Sequence, residues 1–158
     1  MQTDTYRYDS PLGPLLLTLA DDALFALEYE TSGANESHPE LPGGAVRGWL
    51  DSYFKSAETS VVPPLAMRGT TFQQRVWRAM LDIPVGSTRT YGEIAKLIGS
   101  APRAVGQACK RNFLPIIIPC HRVVGGQSIG GYEGALAGQR VERKSWLLQH
   151  EKNHTATA

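Results

Sequence analysis

Ile116-Ile117-Ile118-Pro119-Cys120-His121-Arg122-Val123 is the stretch from which the rest of the chain is read. An apolar run flanked by Pro115 and Pro119 ends at a thiol, an imidazole and a guanidinium. The run reads as a short buried strand whose prolines stiffen its exit and deliver Cys120 to one place. A thiol is a strong nucleophile only as thiolate, so its free pKa of ~8.5 must be lowered by positive charge or a nearby base. His121 and Arg122 are groups of that kind. Neighbours on a strand point to opposite faces. Either the chain turns tightly at Cys120, or His121 reaches the sulfur indirectly, for example through a water. The plainer reading is a core cysteine, and the rest of the chain bears on the choice.

Upstream, Thr70-x-x-Gln73 is a capping-box signature. Phe72, Val76, Ala79, Met80 and Ile83 then mark an amphipathic helix that stops at Pro84-Val85-Gly86. A second box, Thr90-Tyr91-Gly92-Glu93, opens a short helix through Ile98, with Gly99 to end it. Pro102 suits the first turn of a third helix running to about Lys110. Its inward face is Ala104, Val105, Ala108 and Cys109. Arg103, Gln107 and Lys110 form a polar, basic stripe that Arg111 extends. Two short helices joined by a Gly-containing turn, the second with such a stripe, resemble a helix-turn-helix. The small residues Ala104, Gly106 and Ala108 allow close approach to a nucleic acid. Downstream, Val123 continues into a hairpin or loop in which Gly130, Gly131 and Gly134 surround Tyr132, as at a flexible lip. Arg140 to Glu151 reads as a closing helix, and the polar tail from Lys152 as disordered.

The N-terminal third reads differently. Three short apolar runs separated by Ser10-Pro11-Leu12-Gly13-Pro14 and Asp21-Asp22 predict a small antiparallel meander. After a loop at Thr31–Gly44, Val46, Trp49, Leu50, Tyr53 and Phe54 fall on one helical face. Ser56 to Pro64 reads as a linker, giving an α/β domain over 1–66 and a mostly helical domain over 67–158. The net charge of +1 conceals a split: residues 1–66 hold three basic and ten acidic side chains, residues 67–158 thirteen basic and five acidic. Such asymmetry points to a nucleic-acid surface on the basic half, or to a basic face that merely docks on the acidic half. With no apolar run near the ~20 residues of a membrane span and no signal-like start, the expected location is cytoplasmic, with Cys109 and Cys120 reduced.

These stretches together resemble the O6-alkylguanine-DNA alkyltransferases, or methylated-DNA–protein-cysteine methyltransferases. The resemblance runs from about Gly69 to Glu151 and is weaker through the N-terminal third. It is carried by Gly69–Trp77, Ile83-Pro84-Val85-Gly86, Tyr91–Ala95, Arg103–Gly106, Asn112, Pro119–Val123, Gly131-Tyr132 and Lys144-x-x-Leu147-Leu148-x-x-Glu151. It implies an α/β N-terminal domain followed by a winged helix-turn-helix, and a single-turnover transfer of an alkyl group from O6-alkylguanine in double-stranded DNA to Cys120. His121 would bridge through water to the thiol and to Glu151, and Asn112 would brace the turn before the active-site strand. Tyr91, with Lys144, would meet the charge developing on guanine. The carbonyls of Cys120 and Val123 would read the base, with Tyr132 and Gly130 at the pocket lip. Arg103 would fill the gap in the base stack, and Gln107, Lys110, Arg111 and Arg122 would contact DNA. The chemistry needs no cofactor, and a monomer suffices. Cys109, Cys120, His121 and His150 lack metal-ligand spacing, so no metal is expected.

Four departures from the family pattern stand out. The turn Ile98–Arg103 is about two residues short, and Glu133 follows Tyr132 where a small residue is usual. Residues 134–143 form a longer link to Lys144, and Phe113 stands where a proline is common. None removes a reacting group. Two rival functions are a DNA-binding module that recognises alkylated bases without transfer, and a cysteine hydrolase. Family relatives of the first kind lack the cysteine, and the second needs an oxyanion hole for which no clear candidate is seen.

Overall fold

The computed structural model describes residues 2–30, 37–59, 61–126 and 138–155. The chain forms two compact units that divide between Met67 and Arg68.

The first unit is a three-stranded antiparallel sheet in the order β1 (Thr3–Ser10), β2 (Gly13–Ala20), β3 (Ala23–Tyr29), followed by helix α1 (Ala45–Ser56). Asp21 and Asp22 both take positive φ (48° and 69°), the geometry of a two-residue hairpin turn whose twist matches its strands. The β2–β3 register shifts at Thr18/Leu19 and skips Phe25. That irregularity explains why buried positions run Leu15, Leu17, Ala20 on β2 and Leu24, Leu27, Tyr29 on β3 rather than at strict alternation. Each outer strand also meets a return segment. Arg7 of β1 exchanges backbone bonds with Pro39 and Leu41, and Leu24 of β3 with Pro64 and Ala66. Helix α1 buries Val46, Trp49, Leu50 and Tyr53, as its periodicity predicts. Tyr8 on β1 donates to Asp51 on α1 at 2.7 Å.

The second unit holds helices α2 (Thr71–Leu81), α3 (Tyr91–Ile98), α4 (Pro102–Lys110) and α5 (Gln139–Thr155). Strands β4 (Arg89–Thr90) and β5 (Val123–Val124) form a short parallel pair. Both predicted capping boxes form: Thr70 Oγ1 accepts from Gln73 N at 3.1 Å, and Thr90 Oγ1 from Glu93 N at 3.0 Å, each with the reciprocal side-chain bond. Gly99 ends α3 in the left-handed conformation. Helix α2 is tied to its neighbours by Trp77 Nε1 donating to Ala108 O (2.9 Å) and Arg75 Nη2 donating to Ile98 O (2.6 Å). Gly69 is required where it stands. Its φ is +101°, and a Cβ there would lie 2.7 Å from the Trp77 ring.

Two expectations are corrected here. Ile116–Ile118 is no strand: the chain makes consecutive turns from Pro115, with Ile116 at φ 75°, and enters a 3-10 turn at Cys120–Arg122. Leu114, Ile116, Ile117 and Ile118 are buried all the same. The polar groups that a strand would pair are met locally by Asn112, which receives Leu114 N–H and donates to Ile118 O, both at 2.9 Å. The tail is also ordered further than its polarity implies, since α5 runs through Thr155, whose hydroxyl donates to Glu151 O at 2.8 Å. Among the described residues no helix is long and apolar enough to cross a membrane. Gly130, Tyr132, Glu133 and the expected hairpin beyond Gly126 lie outside the described residues, as do residues 134–137 of the 134–143 link. Thr90→Ala removes the α3 cap and should lower stability by about 1 kcal/mol, read as a lower urea midpoint at unchanged slope.

Candidate active site

The 3-10 turn resolves the geometric difficulty at Cys120. With three residues per turn, successive side chains diverge by about 120°, so Cys120, His121 and Arg122 leave the backbone in three directions. All three are buried, Cys120 with 5% of its surface exposed and His121 with none. Asn112 holds the turns that lead into this segment.

Glu151, on α5 and 1% exposed, is where the cluster converges. His121 Nε2 lies 2.5 Å from Oε2. Arg122 grips the carboxylate on both sides, Nε to Oε1 at 2.8 Å and Nη2 to Oε2 at 3.0 Å, while Nη1 donates to Ile83 O at 2.7 Å. Gly86 N–H adds a longer bond to Oε1 at 3.3 Å. Burial pushes the Glu151 carboxyl up, but the His121 hydrogen bond and the Arg122 guanidinium outweigh it and hold the group well below the usual carboxylate range. Burial lowers His121, an effect opposed by Glu151 and reinforced by Arg122 and Lys144. The imidazole is therefore neutral, donating Nε2–H to the carboxylate. Its Nδ1 then carries a lone pair, and that buried atom has no hydrogen-bond partner among the described residues.

A second group surrounds Cys120. Lys144 on α5 is fully buried, with Nζ donating to Val123 O at 2.6 Å and lying 5.8 Å from the centre of the Tyr91 ring. Burial brings this lysine down to about 8, against the opposing pull of Cys120 and Cys109. Burial raises the Tyr91 phenol, and the neighbouring Cys109 and Cys120 raise it further, so it stays protonated as a donor. Burial likewise raises the Cys109 thiol, whose Sγ lies 3.6 Å from Met80 Sδ. Cys120, His121, Glu151, Tyr91, Lys144 and Val123 are thus brought into one neighbourhood from three separate stretches: the start of α3, the segment Cys120–Val124 and helix α5. The Val123 carbonyl is already engaged by Lys144.

Helix α4 places Arg103, Gln107 and Lys110 at exposed positions, and Arg111 is exposed where the helix ends. Arg122 departs from the expected DNA contact. It is 5% exposed and committed to Glu151 and Ile83, because a guanidinium so deep needs a carboxylate and a carbonyl to replace water. The Ile83 carbonyl and Gly86 amide are the components not assigned from sequence. Their one signal was the Ile83-Pro84-Val85-Gly86 motif, which carries no reactive side chain.

Residues 71–153, just over half of the chain, match the family model described as 6-O-methylguanine DNA methyltransferase, DNA binding domain. The chain is also 40% identical over 156 residues to the constitutive methylated-DNA–protein-cysteine methyltransferase of Bacillus subtilis, covering 91% of this chain and 92% of the relative. The chain belongs to this methyltransferase family. This methyltransferase is 43% identical over 159 residues to its Mycobacterium leprae relative, covering 95% and 93% of the two chains. The solved O6-methylguanine methyltransferase of Mycobacterium tuberculosis superposes with a TM-score of 0.81 at 38% identity, covering 99% and 97%. The M. tuberculosis OGT solved in complex with DNA gives 0.80 at 39%, covering 98% and 96%.

In this methyltransferase Glu151→Gln should cost about 3–5 kcal/mol near neutral pH, because it leaves Arg122 buried without its counter-charge. The depressed carboxyl stabilises the fold fully above its unfolded pKa of about 4.3 and loses that contribution as pH falls toward the folded value. Urea titrations of both proteins should therefore show a gap that narrows in acid.

Proposed function

We propose that this chain transfers the alkyl group of O6-alkylguanine in double-stranded DNA to its own Cys120, once per molecule and irreversibly. The observation that carries the reading is the buried His121 held on Glu151 through Nε2, in the residue next to a buried thiol, with Lys144 and Tyr91 close enough to act on that thiol electrostatically. His121 Nδ1 accepts the Cys120 proton through an intervening water. The thiolate attacks the alkyl carbon in line, an S–C bond forms, and the C–O6 bond breaks with its electron pair passing to guanine. Tyr91, kept protonated by its surroundings, donates to the guanine as that charge develops. Lys144, with a pKa of about 8, supplies positive charge beside the thiolate at neutral pH. The product is a thioether, and the chain offers no resolving thiol pair to reverse it.

The target atom lies inside the base stack, so the nucleotide is rotated out, at a cost of a few kcal/mol that is least for a damaged base. Helices α3 and α4 act as a winged helix-turn-helix. Arg103 at the start of α4 fills the vacated stack, and Gln107, Lys110 and Arg111 lie along the DNA. Tyr132, Gly130 and Glu133 belong to the pocket lip in this reading. Gly106 supports the orientation of α4, since a Cβ there would meet nothing within 4 Å. Among the described residues its bareness serves no neighbour, and it leaves room for a partner's backbone.

Exposure to a methylated oligonucleotide should add the mass of one CH2 to the intact protein, with uptake stopping at one equivalent and absent in Cys120→Ser. Continued turnover, or uptake by the serine variant, refutes the assignment. Gly106→Ala should raise stability by roughly 0.5–1 kcal/mol, since glycine is costly inside a helix. The same change should weaken DNA binding about tenfold (~1.4 kcal/mol) in a fluorescence-anisotropy titration.

A further inference from the structure

We propose that Arg122 is a positioning residue for proton removal from Cys120: by spanning both oxygens of Glu151 and the Ile83 carbonyl, it fixes the carboxylate that takes the His121 Nε2–H and leaves Nδ1 as the base. This inference rests on the transfer reading above and adds a role that the reaction scheme does not require of an arginine.

The geometry carries it. Arg122 makes three bonds of 2.7–3.0 Å from a nearly sealed position, two to Glu151 and one to the backbone that follows α2. Those bonds leave the carboxylate one preferred orientation, with Oε2 shared between Arg122 Nη2 and His121 Nε2. A buried carboxylate demands a compensating cation. With Arg122 present the demand is met by a permanently charged group, and His121 can remain neutral. Without it, His121, whose Nε2 already lies 2.5 Å from Oε2, is placed to supply that charge. An imidazolium carries protons on both nitrogens and has no lone pair at Nδ1 for the Cys120 proton.

The charged groups that act on His121 are Glu151 and Lys144 from α5 and Arg122 from its own turn, with Cys120 the titratable residue before it. Two of the three are cations that oppose protonation of the ring. Burial acts in the same direction, and Glu151 alone favours the imidazolium. Removing Arg122 deletes one opposing charge and its two bonds to Glu151, so that the carboxylate acts more strongly on His121.

The test is the rate of methyl transfer from a methylated oligonucleotide as a function of pH for wild type, Arg122→Met and Arg122→Lys, with His121 followed by 15N NMR in the wild type. In Arg122→Met the acid limb should move up by about one pH unit or more, so the rate falls about tenfold or more on the acid side and recovers in alkali. Arg122→Lys keeps the charge but cannot span the carboxylate, and should lose rate evenly while retaining the wild-type limb. The NMR spectrum should show neutral His121 protonated at Nε2 at neutral pH. An equal loss at every pH in Arg122→Met, a limb displaced in Arg122→Lys as far as in Arg122→Met, or an imidazolium or Nδ1–H form in the wild type overturns the proposal. Should Arg122→Met fail to fold, the NMR form and the Arg122→Lys limb decide it. Absence of methyl uptake by the wild type instead refutes the transfer reading, and the tautomer measurement stands independently of that result.

Discussion

One buried carboxylate organises the second unit. Glu151 is contributed by the C-terminal helix, yet the groups that satisfy it come from the 3-10 turn at Cys120–Arg122 and from the segment after α2. Its placement is conditional on all of them, because an ionised group this deep is tolerated only when several donors replace its water. The same bonds that make burial tolerable hold α5, the Cys120–Arg122 turn and the α2 exit together. Under the proposed transfer, structure and chemistry therefore share one set of contacts, and a change that loosens the unit also displaces His121.

The two units divide the molecule's character as well as its chain. The acidic N-terminal unit contains a sheet and a helix with a core of Leu15, Leu17, Leu24, Leu27 and Leu50, and it carries none of the residues assigned to the reaction. The basic unit carries all of them. Within it, the exposed stripe of α4 and the buried cluster below it begin on the same nine-residue helix, whose inner face includes Cys109 and whose outer face includes Arg103, Gln107 and Lys110. The helix that exposes this basic stripe on one side is thus also a wall of the buried cluster on its other side.

What was legible in the sequence was largely local. Capping boxes at Thr70 and Thr90, the glycine after Ile98 and the proline at the start of α4 are signals contained within a few residues, and they marked the helices well. The basic stripe on α4 was visible because helical spacing alone fixes which residues share a face. The segment before Cys120 was misread because three isoleucines between prolines fit a strand and a buried turn equally, and the deciding bonds come from Asn112. Arg122 was misread because its partner Glu151 lies 29 residues away, a separation that local pattern does not reach. The backbone groups of Ile83 and Gly86 were overlooked as participants for a related reason: their contribution is a carbonyl and an amide, which every residue has.

Ile116 leaves evolution little room. Among the described residues it is the one β-branched side chain held in left-handed backbone, and it is entirely enclosed. Glycine suits the dihedral there but empties the core, whereas any bulky replacement fills the space and inherits the torsional penalty. The approach to Cys120 is consequently a compromise that neither direction of substitution improves.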